Sequence, residues 1–150
     1  MTPNIFNVRV YGILINNRKQ VLVTDELRYG HRITKFPGGG LKFGEGIIDC
    51  LKRECMEELS LDVEVKEHFY TTDFFQPSAF NPEHQVISIY YFIYAKDPER
   101  IDVKSKAFEF DEEQEGAQIF RWVELSTLTE SEFTFPIEKK VANLLHEKFK

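Results

Sequence analysis

The residues best suited to chemistry form a short charged cluster that follows three consecutive glycines. This cluster lies within six consecutive residues and consists of Arg53, Glu54, Glu57 and Glu58. Carboxylates so close together repel one another, and an i,i+4 pair of glutamates on a helix is mildly destabilising. Carboxylate oxygens are also the ligands that Mg²⁺ and Mn²⁺ prefer, and Mg²⁺ is commonly held by a few carboxylates, waters and substrate phosphates. The cluster therefore predicts half of a metal site, which a phosphate-bearing ligand would complete.

A helix must carry these acids if their side chains are to converge. Apolar residues recur at three- and four-residue steps, which predicts an amphipathic helix over residues 47–59. The apolar positions are Ile48, Leu51, Cys55 and Leu59. At about 100° per residue, Glu57 and Glu58 lie about 60° and about 40° to either side of Glu54. Three carboxylates therefore project beside the buried stripe; the alternative interpretation is an ordinary solvated acidic face.

The spacing of residue types around this helix resembles the Nudix box. That pattern runs from a glycine through five residues to a glutamate, then through seven residues to Arg-Glu, and ends in Glu-Glu and an apolar residue. The matching positions are Gly39, Glu45, Arg53, Glu54, Glu57, Glu58 and Leu61. Ser60 is the one departure, because the family usually has glycine there, where it permits a left-handed end to the helix.

The resemblance implies an α+β fold, a Nudix-like α/β/α sandwich with a mixed β-sheet, formed by residues 1–150 as a single domain. The order of the predicted elements agrees with it. Strands are predicted over residues 7–15, 20–24, 31–36, 63–75, 85–95 and 118–125, and helices over residues 47–59 and from residue 136. The glycines that precede the first helix are expected to form a loop.

The resemblance also implies an activity, the hydrolysis of the diphosphate linkage in a nucleoside diphosphate joined to another moiety. Nucleoside triphosphates, ADP-ribose and nucleotide sugars all belong to this class. The implied cofactor is Mg²⁺, with Mn²⁺ as the alternative. A Nudix-fold module that binds a nucleotide without turnover is the competing interpretation. Such a module would be expected to have lost some of the box carboxylates, which this chain keeps.

The roles expected within the box follow from the same resemblance. Glu54, Glu57 and Glu58 are the expected metal ligands and, with Arg53, the expected catalytic set; Gly39 would add its backbone carbonyl. Arg53 would orient the glutamates, although an ordinary surface salt bridge is the alternative. Glu54 or Glu58 would also orient the attacking water, unless the base lies outside the box.

Residues outside the box complete the prediction. Glu115 is the candidate for a further metal-ligating acid, because it precedes a glycine shortly before a tryptophan-bearing strand; a solvated acidic loop is the alternative. Arg32 and Lys35 are candidates for contacting phosphate, and Phe75 for stacking on a base. The alternatives are that both cations are solvated and that Phe75 packs in the core.

Bulk properties limit the partners and the location. A net charge of −6 over 150 residues argues against a dedicated nucleic-acid-binding protein. No apolar run reaches about 18 residues and the N-terminus lacks a secretory leader, so a cytoplasmic protein without a membrane partner is expected. Cys50 and Cys55 are expected to be reduced packing residues. Many relatives form dimers, so a homodimer is compatible with the resemblance.

Overall fold

The computed structural model describes residues 2–150, which contain two α-helices and seven β-strands. The strands are β1 (Ile5–Leu14), β2 (Gln20–Arg28), β3 (His31–Lys35), β4 (Gly38–Gly40), β5 (Glu64–Thr71), β6 (His84–Tyr94) and β7 (Gln118–Glu124). The helices are α1 (Ile47–Leu59) and α2 (Pro136–Phe149). The chain divides into two compact units, one comprising the N-terminal residues through Ile13 with Pro37–Lys96, the other Leu14–Phe36 with Asp97–Lys150.

The first unit contains a four-stranded sheet in the order β4-β1-β6-β5. Its core includes Tyr11 stacked on Tyr90, with ring centroids 5.3 Å apart. Helix α1 contacts β4 and β5. The helix has the predicted bounds, but its buried stripe differs by one residue, because Ile48 is half exposed and Cys50 is buried with the other predicted positions. Both cysteines are free and buried, as predicted.

The three glycines form a strand and not the predicted loop. Gly38–Gly40 pairs antiparallel with β1, with Gly39 opposite Val10. Gly38 has a φ of 146°, and a Cβ atom there would lie 2.1 Å from the carbonyl oxygen of Val10. Only glycine can therefore occupy this position, where the backbones of β4 and β1 approach closely.

The end of α1 shows the cost of the departure from the Nudix pattern. Ser60 adopts the left-handed conformation, with φ 53° and ψ 36°, and its N–H donates to the carbonyl of Met56 at 3.1 Å. A side chain in this conformation costs about 1 kcal/mol, which glycine avoids.

We therefore expect Ser60→Gly to raise the free energy of unfolding by about 1 kcal/mol, measured by urea denaturation. Ser60→Ala is the matched control, because it removes the hydroxyl but keeps the Cβ atom. A glycine variant no more stable than the alanine variant would contradict this account of the helix end.

The second unit contains a three-stranded antiparallel sheet in the order β3-β2-β7, together with α2. A fully buried carboxylate, Asp25, accepts hydrogen bonds from Nε and Nη2 of Arg121 and from the hydroxyl of Thr34. Although burial opposes the charge on Arg121, its hydrogen bonds to Asp25 and Glu132 raise its pKa. These pairings satisfy charges that would be costly to bury alone. No helix within residues 2–150 is both long and apolar enough to cross a membrane.

Candidate active site

Arg53 supplies the charge that compensates the acidic cluster. Its Nε and Nη2 atoms donate to the two carboxylate oxygens of Glu45, at 3.0 and 2.7 Å. Its Nη1 atom donates to both Glu54 at 3.0 Å and Glu57 at 3.2 Å, and Nη2 also donates to the carbonyl of Gly40 at 3.1 Å. One guanidinium therefore joins three box carboxylates to strand β4, and its hydrogen bonds to Glu45 and then to Glu54 raise the pKa of Arg53.

Glu54 is seated against the backbone of Gly39. A Cβ atom built on Gly39 would lie 2.5 Å from the carboxylate carbon of Glu54 and 2.6 and 2.7 Å from its two oxygens. These distances are too short for any side chain at residue 39 while Glu54 stays in place. The glycine therefore makes the space that the Glu54 carboxylate fills, and the Glu54 side chain is only 14% exposed.

The other two glutamates differ in their exposure. Glu57 is exposed and pairs with the Arg53 guanidinium. Glu58 is half-buried, and its Oε2 atom is inaccessible to solvent. On the same helix, next to Glu54, burial raises the pKa of Cys55 to about 12, and the nearby carboxylates Glu58 and Glu54 add to the shift. In this structure the buried thiol therefore favours its protonated form at neutral pH.

These donors do not form a complete metal cage by themselves. Among residues 2–150, no three acidic, histidine or cysteine side chains are grouped as a metal-binding set. What the first unit offers is carboxylate oxygens on one helix beside a glycine strand. This donor chemistry suits a hard cation that takes its remaining ligands from water and phosphate, as Mg²⁺ commonly does.

Glu45 holds the segment that leads into α1. Its carboxylate accepts from Arg53 and, through Oε1, from the backbone N–H of Lys42 at 2.9 Å. The hydrogen bonds from Arg53 and then from Lys42 lower the pKa of Glu45 from 4.5 to about 2. Because its folded-state pKa is depressed, Glu45 contributes stability that is present above about pH 4.5 and is lost as the pH falls toward about 2.

We therefore expect Glu45→Gln to lower the free energy of unfolding at pH 7, and to make less difference as the pH falls from 4.5 toward 2. Urea unfolding of both proteins across this range measures the difference. Glu67→Gln, a change at an exposed glutamate of β5, is the matched control. A wild-type-to-variant difference that stays constant over the range would contradict the depressed pKa.

The remaining candidates have identifiable contacts. Glu115 is exposed and its carboxylate accepts from the backbone N–H groups of Tyr29 and Gly30, at 2.8 and 3.3 Å, at the turn between β2 and β3. Glu115 is therefore a solvent-exposed acid that also stabilises this turn. Its predicted metal role stays a prediction.

The two basic candidates and Phe75 also differ from one another. Arg32 pairs with the exposed carboxylate of Glu113, whereas Lys35 Nζ lies 3.2 Å from the buried carboxylate of Glu26. In the first unit, Phe75 is 60% exposed, so the alternative that it packs in the core is wrong. An exposed ring remains available for stacking, and that role stays a prediction.

Sequence reasoning missed the role of Glu26. This side chain is only 2% exposed, yet it forms ion pairs with Arg28 and Lys35. A signal was present in the sequence, because Glu26 continues an apolar strand in which a charged residue has no place without partners.

Comparison with known proteins supports the resemblance of residues 39–61 to the Nudix box. The family model described as the NUDIX domain matches residues 6–144. No curated protein matches the sequence. One similar solved structure comes from a study of MutT from Aliivibrio salmonicida and Vibrio cholerae, with 20% identity, a TM-score of 0.66, and coverage of 97% of this chain and 100% of that chain.

Two further structures show the same fold. A NUDIX hydrolase from Nitrosomonas europaea is 18% identical with a TM-score of 0.64, covering 95% of this chain and 89% of that one. An ADP-ribose pyrophosphatase from Streptococcus suis is 15% identical with a TM-score of 0.53, covering 96% and 92%. At these identities the likeness shows the fold alone.

The box residues lie on and just before α1 at the family's spacing, and the strands follow in the expected order. Together these features identify the class of protein to which this chain belongs. The chain belongs to the Nudix family, whose domain model covers nearly all of it. The expected α+β, Nudix-like fold with a mixed sheet and two helices is confirmed.

Proposed function

We propose that this protein is a Mg²⁺-dependent Nudix hydrolase that cleaves the diphosphate linkage of a nucleoside diphosphate joined to another moiety. The observation that carries the proposal is the seating of the Glu54 carboxylate against Gly39, with Glu57 on the same guanidinium. A purely solvated acidic face would not require a glycine at that contact. The proposal takes residues 1–150 as a single Nudix domain, because one family model spans residues 6–144.

The proposed metal ligands are Glu54, Glu57 and Glu58, with the backbone carbonyl of Gly39. When bound, the metal would shield the phosphate oxygens and lower the pKa of a coordinated water. Mn²⁺ offers the same preference for oxygen ligands and is the alternative cofactor.

The chain's own residues would mainly position the reactants. Arg53 would keep the Glu54 carboxylate against β4 while Glu57, which is more exposed, turns toward the ligand. Glu54 or Glu58 would orient the attacking water. The water oxygen forms a bond to phosphorus and loses a proton to solvent, the bond from phosphorus to the bridging oxygen breaks, and the departing phosphate group takes the electron pair. Positioning and charge neutralisation contribute most of the catalysis in such transfers.

A panel of nucleoside triphosphates, ADP-ribose and nucleotide sugars tests the proposal. Each compound is incubated with the full chain, with and without Mg²⁺, at neutral and alkaline pH, and the released phosphate products are quantified. We expect Mg²⁺-dependent turnover of at least one compound. Tight binding without turnover would overturn the hydrolase in favour of a binding module, and neither binding nor turnover would overturn both.

A further inference from the structure

Cys50 is a fully buried residue at the contact between helix α1 and strand β4. Its thiol donates a hydrogen bond to the carbonyl oxygen of Gly40, with Sγ and the oxygen 3.5 Å apart. The Nη2 atom of Arg53 donates to the same oxygen at 3.1 Å. A backbone carbonyl has two lone pairs, so these two donors satisfy it. Because Cys50 and Arg53 lie three residues apart on α1, their side chains are neighbours, and together they fix the helix to one atom of β4.

The Cys50 thiol also contacts the charged groups of the box. Arg53 Nη2 lies 3.7 Å from Sγ, but its two hydrogens have nearer acceptors in Glu45, at 2.7 Å, and in Gly40. The sulfur therefore supports the guanidinium mainly by packing against it. Burial raises the pKa of Cys50 to about 11, and a hydrogen bond to the Glu45 carboxylate adds to the shift. The thiol thus keeps at neutral pH the proton that it donates.

The position of β4 against α1 also determines where the Glu54 carboxylate lies. A Cβ atom built on Gly39 would be 2.5 Å from the carboxylate carbon of Glu54, so no spare space separates the strand from this side chain. Gly39 and Gly40 are consecutive residues of β4, and the hydrogen bond from Cys50 therefore acts one residue away from the contact with Glu54. Removing the thiol would let the Gly40 carbonyl turn, which would disturb both its hydrogen bond with Arg53 and the seat of Glu54.

We propose that Cys50 is a positioning residue of the box, whose thiol holds the Gly40 carbonyl where Arg53 binds it and so places the Glu54 carboxylate. In this role Cys50 contacts neither metal nor substrate and acts only through Arg53 and β4. The alternative is that Cys50 merely fills space in the core, as the sequence predicted. An effect of Cys50 on turnover rests on the proposed function, whereas its effect on the placement of Arg53 does not.

Cys55 provides a matched control for the test, because it is equally buried on the same helix and, within residues 2–150, its thiol makes no hydrogen bond. Cys50→Ala and Cys55→Ala each remove one buried sulfur atom, so both should lose a similar amount of thermal stability. The Nε–Hε resonance of Arg53 is then followed in the ¹⁵N-labelled full chain with EDTA, and Arg53→Lys assigns it by removing it. We expect this resonance to shift, and its hydrogen to exchange faster with solvent, in Cys50→Ala but not in Cys55→Ala.

A conservative variant and a metal titration complete the test. Cys50→Ser keeps a hydrogen-bond donor at residue 50, so its Arg53 resonance should lie closer to the wild-type position than that of Cys50→Ala. With the best substrate, Cys50→Ala should raise the Mg²⁺ concentration that gives the half-maximal rate about tenfold, because residues that orient metal ligands typically contribute about 10–100-fold. Cys55→Ala should need nearly the wild-type Mg²⁺ concentration.

An Arg53 resonance that responds equally to Cys50→Ala and Cys55→Ala would leave Cys50 as a packing residue and overturn the proposal. A Cys50→Ser variant altered as much as Cys50→Ala would overturn the role of the hydrogen bond. If Cys50→Ala does not fold, Cys50→Val and Cys55→Val form a second matched pair that fills the space without a donor, with the same expected difference. Failure here is distinguishable from failure of the proposed hydrolase: the Arg53 resonance can respond in a chain without turnover, and turnover can persist in a chain where it does not.

Discussion

Glu57→Gln should lower the Mg²⁺-dependent turnover of the best substrate by about a hundredfold or more, and Glu58→Gln should do the same. Groups that bind the metal or transfer protons typically contribute about this much to the rate. The substitution keeps the shape of the side chain but removes the negative charge that a divalent cation requires. Steady-state rates over a range of Mg²⁺ concentrations measure the loss.

The loss should not come from unfolding. Glu57 is exposed, its hydrogen bond to Arg53 is one of several that Arg53 makes, and exposed ion pairs contribute only about 0–1 kcal/mol. We therefore expect the denaturation midpoint of Glu57→Gln to stay near that of the wild type. Glu67→Gln removes an exposed acid from β5 and should retain full turnover. Near-wild-type rates in both Glu57→Gln and Glu58→Gln would remove the glutamates from the mechanism.

Gly39→Ala should also reduce turnover by about a hundredfold, although it adds a single methyl group. The new Cβ atom would fall 2.5 Å from the carboxylate carbon of Glu54, so that carboxylate must leave its position. A displacement of about 1 Å in a catalytic group can reduce the rate about a hundredfold. The change alters no charge, so a loss of rate reports the placement of Glu54. Rate measurements with Mg²⁺ titration detect it.

The adjacent glycine provides the control. An alanine Cβ atom at residue 40 would meet its nearest neighbour, Arg9 Nη1, at 3.5 Å, which is an ordinary contact. Gly40→Ala should therefore keep its fold and most of its turnover, although both substitutions add the same methyl group to β4. Equal losses in Gly39→Ala and Gly40→Ala would indicate general damage to the strand and would contradict a specific role for the Gly39–Glu54 contact.

The helix that carries the box could be predicted closely from sequence. Its bounds, Ile47–Leu59, follow from amphipathic spacing, which is a local property of the chain. The departure at Ser60 also had a local meaning, because a glycine position in the family pattern indicates a left-handed residue, and Ser60 adopts that conformation. Features that depend on residues close together in the sequence could therefore be predicted from it.

Features that depend on residues far apart in the sequence could not be predicted in this way. The glycines resemble a flexible turn in sequence, but Gly38–Gly40 forms a strand because β1 pairs with it. Arg53 could be expected to orient the glutamates, yet its simultaneous contacts with Glu45, Glu54 and Glu57 depend on where the loop before α1 returns. Glu26 is similar, since only the register of β2 with β7 and β3 brings its partners together. Tertiary pairing, which local patterns do not encode, determined each of these.

The most direct measurement is a crystal structure of the full chain with Mn²⁺ and a non-hydrolysable diphosphate analogue, in which anomalous scattering locates the metal. Our account predicts an ion bound to oxygens of the box glutamates Glu54, Glu57 and Glu58, and bridged to the analogue. An analogue bound with its metal elsewhere, and those three carboxylates apart and ion-free, would contradict it.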